Sequence, residues 1–239
     1  MTELSNRKIV VMGGTSGMGL AAAQQLAALG AAVVVTGRNR DRAAQVRQQN
    51  PALAVEIVDA TSADALQIFY QSQGSIDDLV LCVSGGKGAG PFAQLTSAEL
   101  HHGFEQKFFA QFHAAQKSLP FLRKDGSLTF VSAISARAAN PGTVGLAAIN
   151  GAIEAMIKPL ARELKPLRVN AISPGVVETP WWDKVPHDVR EALLQKSAVA
   201  SLVGRNGLPE ELGKAIAFIV TNGFVNGTVL EIDGGLRLS

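Results

Sequence analysis

Residues 8–20 read Lys8-Ile-Val-Val-Met-Gly-Gly-Thr-Ser-Gly-Met-Gly-Leu20, and their order decides the architecture. Lys8–Met12 is a short, β-branched apolar run that ends in glycines, the pattern of a strand buried on both faces of a parallel sheet. From Met18 to Leu29 the chain is alanine-rich with Leu20, Leu26 and Leu29, a helical spacing stopped by Gly30. Between strand and helix stand Gly13, Gly17 and Gly19. Glycines let the backbone turn sharply and let a pyrophosphate approach, while the helix start offers N–H groups and a positive dipole end. The spacing is G-x-x-x-G-x-G rather than G-x-G-x-x-G. An ordinary tight turn is the competing reading, and the strand before and helix after favour nucleotide binding.

Outward from this unit the alternation continues. Strands are expected at Ala32–Thr36, Val55–Val58, Leu79–Val83, Ser127–Ser132, Arg168–Ile172 and Thr228–Ile232. Helices are expected at Arg40–Gln49, Ser97–Arg123, Gly145–Leu164 with a kink at Pro159, Asp188–Ala198 and Pro209–Val220. This order predicts an α/β fold: a doubly wound, seven-stranded parallel sheet with helices on both faces, in three layers. No composition change or linker divides residues 1–239, so one domain is expected, with residues 180–205 as a substrate-loop region inside it.

Composition limits the function classes. With 47% hydrophobic and 18% charged residues, the 239-residue chain can bury a sizeable core. A net charge of +2 gives no basis for nucleic-acid or anionic-membrane partners. No run of about 18 apolar residues suggests a span, and the N-terminus carries no signal-peptide pattern, so a cytoplasmic protein is expected. The single cysteine, Cys82, excludes an intramolecular disulfide and a cysteine-rich metal site, and no metal is expected.

The end of the second strand bears on cofactor choice. It reads Thr36-Gly37-Arg38-Asn39-Arg40, with no acid to accept bonds from a ribose 2′-hydroxyl. A guanidinium matches a phosphate with paired hydrogen bonds, so Arg38 favours NADP(H) over NAD(H); the competing reading is a surface residue at a strand end. Ser16 and Asn39 can add contacts to that phosphate. Asp59 is placed either to meet the adenine amino group or to cap a helix before Thr61-Ser62, and the two readings stand even.

These motifs together resemble the short-chain dehydrogenase/reductase family over essentially the whole chain. Besides the glycine loop and Asp59, the resemblance rests on the segment Gly126–Ser132 and on Arg168-Val-Asn-Ala-Ile-Ser-Pro-Gly-Val-Val-Glu-Thr-Pro180. It also rests on Gly204–Leu212 and on Val229-Leu-Glu-Ile-Asp-Gly-Gly235. The resemblance implies a Rossmann-type fold and an NADP(H) site formed by Gly13, Thr15, Ser16, Gly17, Met18, Gly19, Arg38, Asn39, Asp59, Ala60, Ser84, Gly85, Asn150, Pro174, Gly175, Val177 and Thr179. Thr179 would bind the carboxamide or phosphate, or else bond its own loop.

The family's catalytic set is a Ser, a Tyr 13 residues later, a Lys four beyond it, and an Asn on the preceding helix. By the resemblance these positions fall on Ala133, Leu146, Asn150 and Lys107. The one tyrosine in the chain is Tyr70, before the fourth strand. The family's Asn-Asn-Ala-Gly is altered to Leu81-Cys82-Val83-Ser84 before Gly85. Lys107 is the one candidate catalytic replacement, set against a solvated helix face within Glu105-Gln106-Lys107. Ser132 and Ser135 flank Ala133 and are candidates to bind a substrate oxygen. Asn150 can bond the nicotinamide ribose. His113 reads as a packing residue, His101 and His102 as solvent-facing, Cys82 as a strand residue. Trp181 and Trp182 either cap a substrate pocket or pack their loop.

Two functions follow. One is an oxidoreductase on a small carbonyl or alcohol substrate with a non-standard proton route; the alternative is a catalytically inactive NADP(H)-binding sensor or oligomer partner. The resemblance also implies a homodimer or homotetramer, paired through the two long helices and the C-terminal strand. Ala147, Ala148, Gly151, Ala152 and Ala155 would allow close helix contact, or face the protein's own sheet.

Overall fold

The computed structural model describes residues 3–239. Seven strands form one sheet: β1 (Lys8–Met12), β2 (Ala32–Gly37), β3 (Leu53–Ile57), β4 (Ile76–Leu81), β5 (Leu122–Val131), β6 (Arg168–Pro174) and β7 (Val229–Ile232). All pairings are parallel, in the order β3-β2-β1-β4-β5-β6-β7. The strands are rich in Val and Ile because both faces of the sheet are covered. Helices α1 (Gly17–Ala28), α2 (Arg40–Gln49) and α8 (Pro209–Thr221) pack on one face through Ala22, Leu26, Val46, Leu212 and Ile216. On the other face lie α3 (Ala63–Gln73), α5 (Ala110–Ser118) and α6 (Val144–Glu163), through Leu66, Tyr70, Ala114, Ile153 and Ile157. This is the three-layer, doubly wound arrangement the sequence predicts. Strand order reverses between β1 and β4, which opens a crevice at the carboxyl ends of these strands.

Several elements differ from the sequence expectation. Helix α3 was not anticipated, although Ser62 accepts from the Ala65 N–H as its N-cap and Gly74 closes it at φ 66°. Its apolar residues Leu66, Phe69 and Tyr70 fall on one helical stripe. The helix expected over Ser97–Arg123 is three pieces: α4 (Ser97–Phe104), a π turn (Glu105–Phe109) and α5. It ends at Ser118: Leu119 still holds helical backbone at φ −53° and ψ −39°, but Pro120 has no N–H to extend the helical bonding, and β5 already starts at Leu122. Strand β4 stops at Leu81, so Cys82 and Val83 belong to the loop beyond it.

Helix α6 continues on both sides of Pro159. It has the length and apolar composition of a membrane-crossing segment. Ile149, Ile153 and Ile157 on its inner face are buried in the core, which accounts for much of that composition. Helix α7 (His187–Ala200) follows a short 3₁₀ segment, Pro180–Lys184.

Candidate active site

The crevice is a cavity of about 720 Å³. Its floor is the glycine turn. Gly13 and Gly17 adopt φ of 78° and 53°, which other residues rarely hold. A side chain on Gly13 would press against the Cys82 backbone at 2.8 Å, and one on Gly19 would run into the Gly13 carbonyl. The turn therefore lies flat against the end of β4. Ser16 is the N-cap of α1 but makes no side-chain cap bond, so its hydroxyl leaves the N–H groups of the first turn uncovered. Thr179 packs over Gly17, 3.2 Å from where a Cβ would stand.

All the residues that the resemblance implies for a cofactor site line this one cavity, from Gly13 through Arg38, Asp59, Ser84 and Asn150 to Thr179. Arg38 sits beyond β2 and makes no ion pair or side-chain hydrogen bond among the described residues. Asn39 accepts from the Arg42 N–H at 2.8 Å and caps α2. Asp59 is not a helix cap, since Ser62 holds that position. Its carboxylate accepts from the Thr61 N–H at 3.0 Å and hydroxyl at 2.8 Å. The Thr61 backbone bond, ahead of the Arg38 charge, holds Asp59 below the usual carboxylate range.

At the other end, Lys107, Ala133, Leu146 and Asn150 share the cavity wall. The expectation of a solvated face for Lys107 is corrected. The side chain is only partly accessible, and its ammonium donates to the Ser132 carbonyl at 2.9 Å. Burial pushes its pKa down to about 8, partly offset by the Glu154 carboxylate. The physical reason is position on the helix. Gly103, Lys107, Ala110 and Ala114 recur every three or four residues, and Gly103, Ala110 and Ala114 are buried. The π turn holding Lys107 is a rare element that often marks functional sites.

Asn150 is 2% exposed. Its amide nitrogen donates to Ser135 Oγ and to the Leu146 carbonyl, both at 2.9 Å. A carbonyl needs a donor, so this contact sets the amide orientation and leaves Oδ1 as a buried acceptor without a partner. Ser132 departs from the expectation that it can bind a substrate oxygen. Its hydroxyl is engaged by Glu154 at 2.8 Å and the Ile172 carbonyl at 3.2 Å. Ser135 accepts from Asn150, so its own proton is left over. Gln111, which the sequence did not single out, donates to the Val83 and Val131 carbonyls and ties the loop after β4 to β5.

Trp181 donates to the Gly85 carbonyl at 2.8 Å and Trp182 to the Val177 carbonyl at 2.9 Å. Their rings meet edge to face at 5.0 Å. The Pro180–Lys184 segment is thus a strap fixed on both sides of the crevice, and it lines the cavity as well as packing its own loop. Tyr70 lies elsewhere: it is fully buried in α3 and donates to the Ala114 carbonyl at 2.9 Å. His113 stacks on Phe109 and meets Phe112 edge-on, while the His101 ring bonds the Ser97 carbonyl. Cys82 lines the cavity with its thiol pushed up to about 12 by burial, so it is not a thiolate nucleophile.

A glycine turn at the switch point of a parallel sheet, facing a Pro174-Gly175 turn, defines a Rossmann-type domain. The chain belongs to the short-chain dehydrogenase/reductase family of oxidoreductases. The family profile described as Enoyl-(Acyl carrier protein) reductase matches residues 13–237. The chain is 27% identical to the short-chain dehydrogenase/reductase ucsE of Acremonium sp, covering 98% of this chain and 96% of that protein. It is 26% identical to an L-fucose dehydrogenase of Bos taurus, over 99% and 92% of the two chains. Among solved structures, a small-chain dehydrogenase in complex with NADPH superposes with a TM-score of 0.85 at 30% identity, over 98% and 99% of the two chains. The MalC reductase/Diels-Alderase of Malbranchea aurantiaca superposes with a TM-score of 0.89 at 25% identity, over 99% and 98%.

Proposed function

We propose that this protein is an NADP(H)-dependent oxidoreductase of a small carbonyl or alcohol substrate, in which Lys107 takes the proton-transfer role that relatives give to a tyrosine. The carrying observation is the Lys107 ammonium, held in the cavity wall by the Ser132 carbonyl with a pKa of about 8. By the resemblance the family's Ser, Tyr and Lys positions fall on Ala133, Leu146 and Asn150, and this reading takes the standard set as absent. The chain's one tyrosine is spent in the core.

The cavity fits the dinucleotide. First-turn N–H groups of α1 suit the pyrophosphate. Arg38 makes no ion pair or side-chain hydrogen bond among the described residues and suits a 2′-phosphate. Asp59 keeps a charged carboxylate at the wall for the adenine amino group. The free Asn150 Oδ1 is an acceptor for a ribose hydroxyl. The relative whose solved structure is described as a complex with NADPH supports the same reading. Bound there, the nicotinamide supplies or takes the hydride. Lys107 donates its proton to the oxygen that becomes an alcohol, and in the reverse direction the neutral amine takes it back. Ser135, with its hydroxyl proton unspent, orients that oxygen.

Purified protein titrated with NADPH and NADH, then followed by nicotinamide absorbance with a panel of ketones, aldehydes and quinones, tests this. Lys107→Met is expected to lower kcat by about 10²–10⁴-fold with NADPH affinity retained. Tight NADPH binding without turnover on any carbonyl compound overturns the reaction and leaves a non-catalytic binder. An NADPH/NADH affinity ratio unchanged in Arg38→Ala overturns the cofactor choice.

A further inference from the structure

One corner of the cavity gathers three cationic side chains that form no ion pair among the described residues. Arg38 follows β2, Arg42 stands in the first turn of α2, and Lys184 ends the strap; all three line the cavity. Elsewhere Arg7, Arg123, Arg137, Arg190, Arg205 and Arg237 each reach a carboxylate. Among the described residues none of the three does, and none donates a side-chain hydrogen bond. The acids beside them are engaged: Asp59 with Thr61, and Asp183 with Arg190 at 2.7 Å.

Lys184 is held toward this corner. Its stem passes Gly86, where a Cβ would stand 3.6 Å from Cδ, and its ammonium lies 5.9 Å from the Trp181 ring centre. Partial burial first, then repulsion from Arg38 and Arg42, holds the ammonium below its ordinary range. Three elements therefore bring like charges together, and the Asp59 carboxylate, which acts on Arg38, offsets only part of them. A group carrying close to two negative charges and three acceptor oxygens relieves that repulsion.

We propose that Arg42 and Lys184 complete, with Arg38, a three-cation seat for the adenosine 2′-phosphate, and that Lys184 thereby fastens the strap to the bound cofactor. This rests on the NADP(H) reading above. It adds that the strap, which also carries Trp181 over the crevice, grips the phosphorylated cofactor and not its unphosphorylated counterpart. Cofactor choice and anchoring of the strap on the bound cofactor are then one event.

Trp181 and Trp182 are the only tryptophans in the chain, so tryptophan emission reports the strap alone. Adenosine 2′,5′-bisphosphate is expected to shift that emission and ADP is not. Lys184→Ala is expected to raise the NADPH Kd about tenfold with little change for NADH, and Lys184→Arg to restore it. Lys184 is exposed, so its replacement leaves the core intact. An unchanged NADPH/NADH ratio in Lys184→Ala, with the ratio collapsed in Arg38→Ala, overturns the seat and leaves the cofactor reading standing. A wild-type protein that does not prefer NADPH ends the cofactor reading and the seat with it.

Discussion

At the scale of single residues, Lys107 makes a pH prediction. As the acid in reduction it must be charged, so reductive kcat/KM is expected to fall as pH rises through about 8. As the base in oxidation it must be neutral, so the oxidative rate rises over the same interval. Folding responds with a definite sign. Between about 8 and the ordinary amine value of 10.5 the unfolded chain holds more protons than the native one, so this group's contribution to stability grows with pH there. Paired pH–rate profiles of wild type and Lys107→Met check this; profiles of the same shape would remove Lys107 from the reaction. Part of the site was legible. Gly13, Gly17 and Gly19 are read from spacing, and Arg38 from the missing acid. Lys107 lies on a readable stripe with Gly103, Ala110 and Ala114, but polar Glu105 and Gln106 obscured it. The free acceptor of Asn150 was not legible, because it depends on where Ser135 and the Leu146 carbonyl spend the amide protons.

At the scale of elements, the long apolar and β-branched runs were the easiest to read, and helix ends the hardest. Helix α3 lies outside the expected helices although its Ser62 cap, its Gly74 stop and its apolar stripe are all local signals. The helix through Ser97 was overextended because Leu119-Pro120 is a weak local boundary, and the pairing of Ile76 with Leu122 then starts β5 early. Pro159 carries a prediction of its own. It sits inside α6, removes one helical hydrogen bond, and is exposed. Pro159→Ala restores the donor without disturbing the core. The loss of proline's restraint on the unfolded chain offsets part of the gain, leaving about 1–2 kcal/mol of added stability. Urea titration measures it, and a lowered midpoint would show that the proline ring supports the helix.

At the scale of the whole molecule, α6 presents two unlike faces. Ile149, Ile153 and Ile157 enter the core, while Ala148 and Ala155 are exposed and Gly151 and Ala152 only partly covered. The small residues therefore face outward, not toward the protein's own sheet. We propose that this face, with Phe109 of the neighbouring π turn and Phe112 of α5, joins two copies of the chain. Light scattering is expected to give a dimer or tetramer. Gly151→Arg is expected to give a monomer, since a Cβ there meets nothing within 4 Å inside the protomer. A monomeric wild type rules the interface out.

The succession of strands, the glycine turn, the absence of an acid after β2 and the single tyrosine follow from the chain alone, because each is a matter of local pattern or of count. Which groups meet across the crevice was decided only by the tertiary structure. Lys107 and Ser132 are 25 positions apart, Trp181 and Gly85 are 96 apart, and Arg38 and Lys184 come from different ends of the fold. No local signal carries such pairings. They arise where a sheet wound in both directions brings the carboxyl ends of distant strands, and the loops they carry, to one place.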